Sequence, residues 1–135
     1  MATKPRIFVV EDHETTARAL KMLLEMQGYD VAVAHGVASA LEHAKRQPFD
    51  LLVCDISLPD GSGWDLMKKL SAKKPVRGIA FTASGSDEDI SQSRAVGFLD
   101  HVVKGSDAED LLQVVKQALN NNQQPSKAPR SRAKR

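Results

Sequence analysis

Five polar side chains stand directly behind apolar runs. Glu11 and Asp12 follow Ile7-Phe8-Val9-Val10, Asp55 follows Leu51-Leu52-Val53-Cys54, Thr82 follows Ile79-Ala80-Phe81, and Lys104 follows Val102-Val103. Brought together, three carboxylates repel, and at least one pKa rises. A hard divalent cation removes the conflict. Mg2+ prefers octahedral oxygen ligands, ordinarily one or two carboxylates together with phosphate oxygens. Such a cation could carry a phosphoryl group to Asp55, and a carboxylate can act as a nucleophile. Phosphoryl transfer rests mainly on positioning and on neutralising the equatorial oxygens. Mg2+, the Lys104 ammonium and the Thr82 hydroxyl are suited to three such oxygens, and the small Ala83 leaves room for a donor.

These residues meet only if the elements before them are parallel neighbours. Strands are predicted over 6–10, 31–34, 50–54, 78–81 and 99–103. Helical spacing follows each: Ala17, Leu20, Leu23, Leu24 and Gln27 with Gly28 as stop, then Val37, Ala40, Leu41 and Ala44 before Pro48. Leu66, Met67 and Leu70 mark a helix from near Gly63, Asp87 caps another that runs to about Val96, and Asp107 caps the last, which carries Leu111, Leu112, Val115 and Leu119. Strict alternation predicts a parallel sheet covered by helices on both faces. In such sheets ligands bind outside the carboxyl ends of the strands, where the polar residues lie.

A chain of 135 residues suits one domain, expected over 4–120. No apolar run approaches the ~20 residues of a membrane span, the first residues lack a signal core, and the single cysteine excludes an internal disulfide. The expected location is cytoplasmic. Residues 121–135 hold five basic residues and no acid; without them, 14 basic residues face 17 acidic ones, a balance of −3. The basic character thus belongs to a segment read as a disordered tail or a severed linker, and nucleic-acid binding by the domain itself is not expected.

From about Arg6 to Leu119 the chain resembles the receiver domains of two-component response regulators. The resemblance rests on Val9-Val10-Glu11-Asp12, Asp55-Ile56-Ser57-Leu58-Pro59-Asp60-Gly61-Ser62-Gly63, Phe81-Thr82-Ala83, Ala95-Val96-Gly97-Phe98 and Lys104. It implies a flavodoxin-like α/β fold, five βα units with strand order 2-1-3-4-5. It also implies that Asp55 accepts a phosphoryl group from phosphohistidine on a histidine kinase or phosphotransfer protein. Mg2+, with Mn2+ as an alternative, would sit on Asp12, Asp55 and the backbone carbonyl of Ser57, with Glu11 acting mostly through water. Thr82, Ala83 and Lys104 would read the phosphoryl group, and Thr82 with the residue at 101 would form the switch. A changed surface around the fourth and fifth strands would signal to a downstream protein, in a monomer or a weak dimer through that face. Arg77-Gly78-Ile79-Ala80, Asp87-Glu88-Asp89-Ile90 and Ser93-Arg94-Ala95-Val96-Gly97-Phe98 are most similar to receivers attached to hybrid sensor kinases.

Three features depart from that family. Gly105 replaces the usual proline after the lysine, so a trans bond and a looser loop are expected. His101 replaces an aromatic that swings inward on phosphorylation; imidazole is smaller and can charge, so less favourable burial and a weakened or pH-sensitive switch are expected. Ser57 and Ser84 stand where acids or amides orient the hydrolytic water, which implies a long-lived phosphorylated state. The remaining residues have plainer readings. Asp60 is turn chemistry, Gly61-Ser62-Gly63 is a turn and helix start rather than a phosphate loop, and Cys54 is a buried small residue. Trp64 is packing, and most of His13, His35, His43 and His101 lie at the surface. Two rivals stay open: a receiver-like binding module that is never phosphorylated, and a phosphohydrolase with an aspartate nucleophile. The second ordinarily carries another acid two residues after the nucleophile, where this chain has Ser57.

Overall fold

A computed structural model describes residues 4–120. The elements are β1 (Arg6–Val10), α1 (Glu14–Met26), β2 (Asp30–Ala34), α2 (Val37–Arg46), β3 (Leu51–Cys54), β4 (Ser57–Leu58), β5 (Gly61–Ser62), α3 (Gly63–Ser71), β6 (Gly78–Thr82), α4 (Asp87–Ala95), β7 (Asp100–Val103) and α5 (Ala108–Asn120). The five long strands form one parallel sheet of order β2-β1-β3-β6-β7, which is 2-1-3-4-5 when long strands alone are counted. The doubly wound α/β architecture is therefore the one implied by the sequence.

Strand alternation divides the core. Phe8, Val10, Leu52, Cys54 and Ala80 face one way and pack with Leu66, Met67 and Phe98. Ile7, Val9, Leu51, Val53 and Ile79 face the other way and pack with Leu20 and Leu24 of α1 and with Leu111 and Val115 of α5. Because both faces are covered, the strands read as unbroken apolar runs. Register then sets the site: Val10 is level with Cys54, Cys54 with Ala80, and Thr82 with Val103. Glu11 and Asp55 consequently leave the sheet side by side, with Thr82 and Lys104 slightly further along.

Several local expectations change. Gln27 is exposed and lies beyond the last turn of α1. The cap of α4 is Ser86, whose Oγ accepts from Asp89 N at 3.1 Å; Asp87 is the first helical residue, placed where the helix dipole favours a carboxylate. The turn at Pro59-Asp60 is the tip of an antiparallel β4–β5 hairpin, in which Gly61 already pairs with Leu58. Asp60 does more than shape that turn. Its Oδ1 and Oδ2 accept from Val37 N (2.7 Å) and Ala38 N (3.0 Å), so it caps α2, whose own N-cap, Gly36, has no side chain. The predicted tail at 121–135 lies outside the described residues. No helix among the described residues is long and apolar enough to cross a membrane.

Candidate functional site

The carboxyl ends of β1, β3, β6 and β7 bring five predicted residues to one edge of the sheet. Asp55 leaves β3 with its N–H on the Val10 carbonyl at 2.9 Å, and only 6% of its surface is exposed. Glu11 is buried, its N–H on the Ala34 carbonyl at 3.0 Å, while Asp12 is exposed. Thr82 is buried at the end of β6, and its carbonyl accepts the Lys104 N–H at 2.7 Å, which ties the two strand ends together. Ala83 is exposed beside it. The site is thus buried at its floor and open on the side of Asp12 and Ala83.

Lys104 is the electrostatic centre. Its Nζ lies 2.8 Å from Glu11 Oε1 and 2.9 Å from Asp55 Oδ2. Burial works against the ammonium, but bonds to the two carboxylates outweigh it and hold its pKa above the ordinary lysine value. Burial is also the main influence on Glu11. It raises the carboxyl above the usual range, helped by Asp55 and opposed by Lys104 and the His13 N–H. Glu11 Oε2 accepts that N–H at 3.0 Å; Oε1 meets the Lys104 ammonium and has no further hydrogen-bond donor. The Lys104–Gly105 peptide is trans, and Gly105 has φ +96°, a conformation that favours glycine, with open space around it. Burial first, then Asp55 and Glu11, push the Cys54 thiol far up, so this residue is inert packing as expected.

The donor set suits a hard cation. One oxygen from each of Glu11, Asp12 and Asp55 can be chosen so that all lie within 4.8 Å of one another. Oxygens on one octahedral Mg2+ stand about 3–4 Å apart, so the three carboxylates would draw together around the ion. A buried carboxylate oxygen served only by a lysine is a natural place for further positive charge. Ser57 is exposed at the start of β4, and its N–H reaches Asp55 Oδ1 at 3.3 Å.

Three residues of the site neighbourhood make contacts that are not among the sequence expectations. Gly63 is one: its N–H donates to the Ile56 carbonyl at 2.7 Å, and a Cβ there would stand 2.2 Å from the Asp55 carbonyl oxygen. Only a hydrogen fits between α3 and the peptide of Asp55. Ser93 is the second, the one fully buried residue of α4. Its signal was available, since Ile90, Ser93 and Val96 share helical spacing and a serine interrupts an apolar stripe. His35 is the third; its Nδ1–H donates to the Glu11 carbonyl at 2.9 Å. His101 corrects an expectation. It is 5% exposed, and both ring nitrogens are bonded, Nδ1 to Ser93 Oγ at 3.1 Å and Nε2 to the Ser84 carbonyl at 2.7 Å. Those bonds offset the penalty that makes bare imidazole a poor core residue. His13 and His35 are exposed, and His43 is half-buried and stacked on Phe8 at 4.5 Å.

The family model of the response regulator receiver domain matches residues 7–116. Among curated proteins, the chain is 34% identical to the uncharacterized transcriptional regulatory protein YkoG of Bacillus subtilis, over 88% of this chain and 53% of that protein. It is 32% identical to the response regulator protein PilR of Pseudomonas aeruginosa, over 94% of this chain and 29% of that protein. The chain therefore spans about half the length, or less, of these relatives. Among solved structures, the non-phosphorylated HemR receiver domain of Leptospira biflexa aligns with a TM-score of 0.83 at 28% identity, covering 89% of this chain and 98% of that one. A CheY-like receiver domain protein of Methanospirillum hungatei aligns with a TM-score of 0.83 at 29% identity, over 87% and 95%. With its fold, its strand-end residues and this match to most of its length, the chain belongs to the response regulator receiver domains.

Proposed function

We propose that Asp55 is the phosphoacceptor of this receiver and that the chain relays a signal from a histidine kinase or a histidine phosphotransfer protein. The observation that carries the assignment is the pairing of Lys104 Nζ with Asp55 Oδ2 and Glu11 Oε1 at 2.9 and 2.8 Å beside an exposed Asp12. Asp55 Oδ1 or Oδ2 attacks phosphorus, the P–N bond of the donor phosphohistidine breaks, and the imidazole leaves. Glu11, Asp12, Asp55 and the Ser57 carbonyl would hold Mg2+, or Mn2+, which supplies charge neutralisation at the phosphoryl oxygens. Lys104 keeps its ammonium next to the acceptor oxygen, where it neutralises another phosphoryl oxygen. Thr82 offers its hydroxyl from the end of β6, and the methyl of Ala83 leaves the donor a path. The chain acts as a phosphoacceptor and catalyses only its own phosphorylation and dephosphorylation. Output passes through the surface of β6, β7 and the helices beside them to a downstream protein, in a monomer or a weak dimer formed through that face. The −3 balance of residues 1–120 supports a protein partner rather than direct nucleic-acid binding by the domain.

The test is intact-mass analysis after incubation with a small acyl phosphate and Mg2+. Wild type is expected to gain one phosphoryl group and Asp55→Ala none. An unlabelled wild type, under conditions that label a control receiver, would sink the assignment.

A further inference from the structure

A chain of hydrogen bonds crosses the molecule beside the acidic site. Trp64 Nε1 on α3 donates to Ser93 Oγ on α4 at 2.9 Å. Ser93 Oγ lies 3.1 Å from His101 Nδ1 on β7, and His101 Nε2 lies 2.7 Å from the Ser84 carbonyl, two residues beyond Thr82. The chemistry of the end groups fixes the proton on Nε2. An indole N–H only donates and a carbonyl only accepts. Nε2 must therefore carry a proton, and the single Ser93 hydroxyl proton is free to point at an unprotonated Nδ1. Every group is then satisfied with a neutral imidazole. The chain also has a mechanical role. Ser93 is the only buried residue of α4, so the contact of that helix with the body rests on polar bonds more than on apolar burial.

We infer that His101, its Nε2–H fixed by the Ser84 carbonyl and its ring braced by Ser93 and Trp64, is a positioning residue that clamps that carbonyl and so places the loop bearing Thr82 and Ala83 at the acceptor site. Its effect on transfer rests on the phosphoacceptor reading; the tautomer and the clamp do not. Two side chains split the imidazole's functions. Gln reaches as far as Nε2 with a donor, and Asn places an acceptor near Nδ1 without reaching Ser84.

The first experiment is nitrogen–proton correlation spectroscopy of the wild type at neutral pH. It is expected to show His101 protonated at Nε2 and bare at Nδ1. The amide resonance of Gly85, which shares its peptide plane with the Ser84 carbonyl, is expected to stay near its wild-type position in His101→Gln and to shift in His101→Asn. Ser93→Ala is expected to shift the Trp64 indole N–H and to leave Nε2 protonated, because the Ser84 carbonyl still faces it. In the acyl phosphate reaction, His101→Asn is expected to form the Asp55 adduct at least threefold more slowly, with His101→Gln within twofold of wild type. An Nδ1–H tautomer in the wild type would overturn the inference. So would equal effects of Asn and Gln on Gly85, or on adduct formation, since a merely structural role would not separate them. If the wild type forms no adduct, the acceptor assignment fails and the resonances alone decide the clamp.

Discussion

At the scale of single residues, Asp55, the proposed acceptor, is positioned from behind as much as from its sides. Lys104 and the Ser57 N–H hold the Asp55 carboxylate, but Gly63 sets the height of its peptide. A Cβ 2.2 Å from the Asp55 carbonyl oxygen and 3.0 Å from Cys54 Sγ would force backbone to move. Gly63→Ala is therefore expected to destabilise by about 1–3 kcal/mol, the range of overpacked sites, and to slow adduct formation at Asp55. Urea denaturation and intact-mass time courses measure the two effects; an unchanged midpoint would refute the close contact. The polar strand-end residues were legible because each follows an apolar run that must be a strand. The contact of Gly63 was not, because the glycine is also an ordinary helix start, and nothing local shows which atom of Asp55 stands behind it.

At the scale of elements, boundaries were legible where one residue type decides and illegible where a distant one does. The five long strands and five helices follow from apolar runs and helical spacing. Ser62 caps α3 within its own turn, its Oγ accepting from Asp65 N at 3.1 Å. The start of α2 has no such local signal, since its cap arrives from Asp60 across 23 residues. His101 likewise could not be placed indoors without knowing that Ser93 and the Ser84 carbonyl would meet it. The cap has a pH signature. N–H bonds from Ala38 and Val37 hold the Asp60 carboxyl below its usual range. A depressed native pKa gives stability that is present above the unfolded value of about 4 and lost as pH falls through the native value. Asp60→Ala is expected to lower Tm at neutral pH, and the gap from wild type is expected to narrow as pH falls below about 4. Thermal melts across that range check it; a gap that stays constant into acid would remove the ionised carboxylate from the cap.

At the scale of the whole molecule, one sheet supplies both halves of the core. β1, β3 and β6 send alternate residues to the cluster around Phe8 and Leu66 and to the cluster around Val9 and Leu24. Neither half can open without exposing the other's strands, so unfolding is expected to be a single transition. Trp64 packs against the first cluster alone, whereas far-UV circular dichroism reports on all helices. Their urea midpoints are expected to coincide, and separate midpoints would show that the halves unfold independently. Lys104 has a consequence of another kind. With its ammonium on both Glu11 and Asp55, the molecule carries its own competitor for any cation that the acids attract. Uptake of a divalent ion then becomes an exchange in which Lys104 first yields a partner, with Gly105 supplying slack in the backbone. The observed rate of uptake is expected to level off at high cation concentration in stopped-flow measurements, where a bare acidic cleft would show a rate rising in proportion.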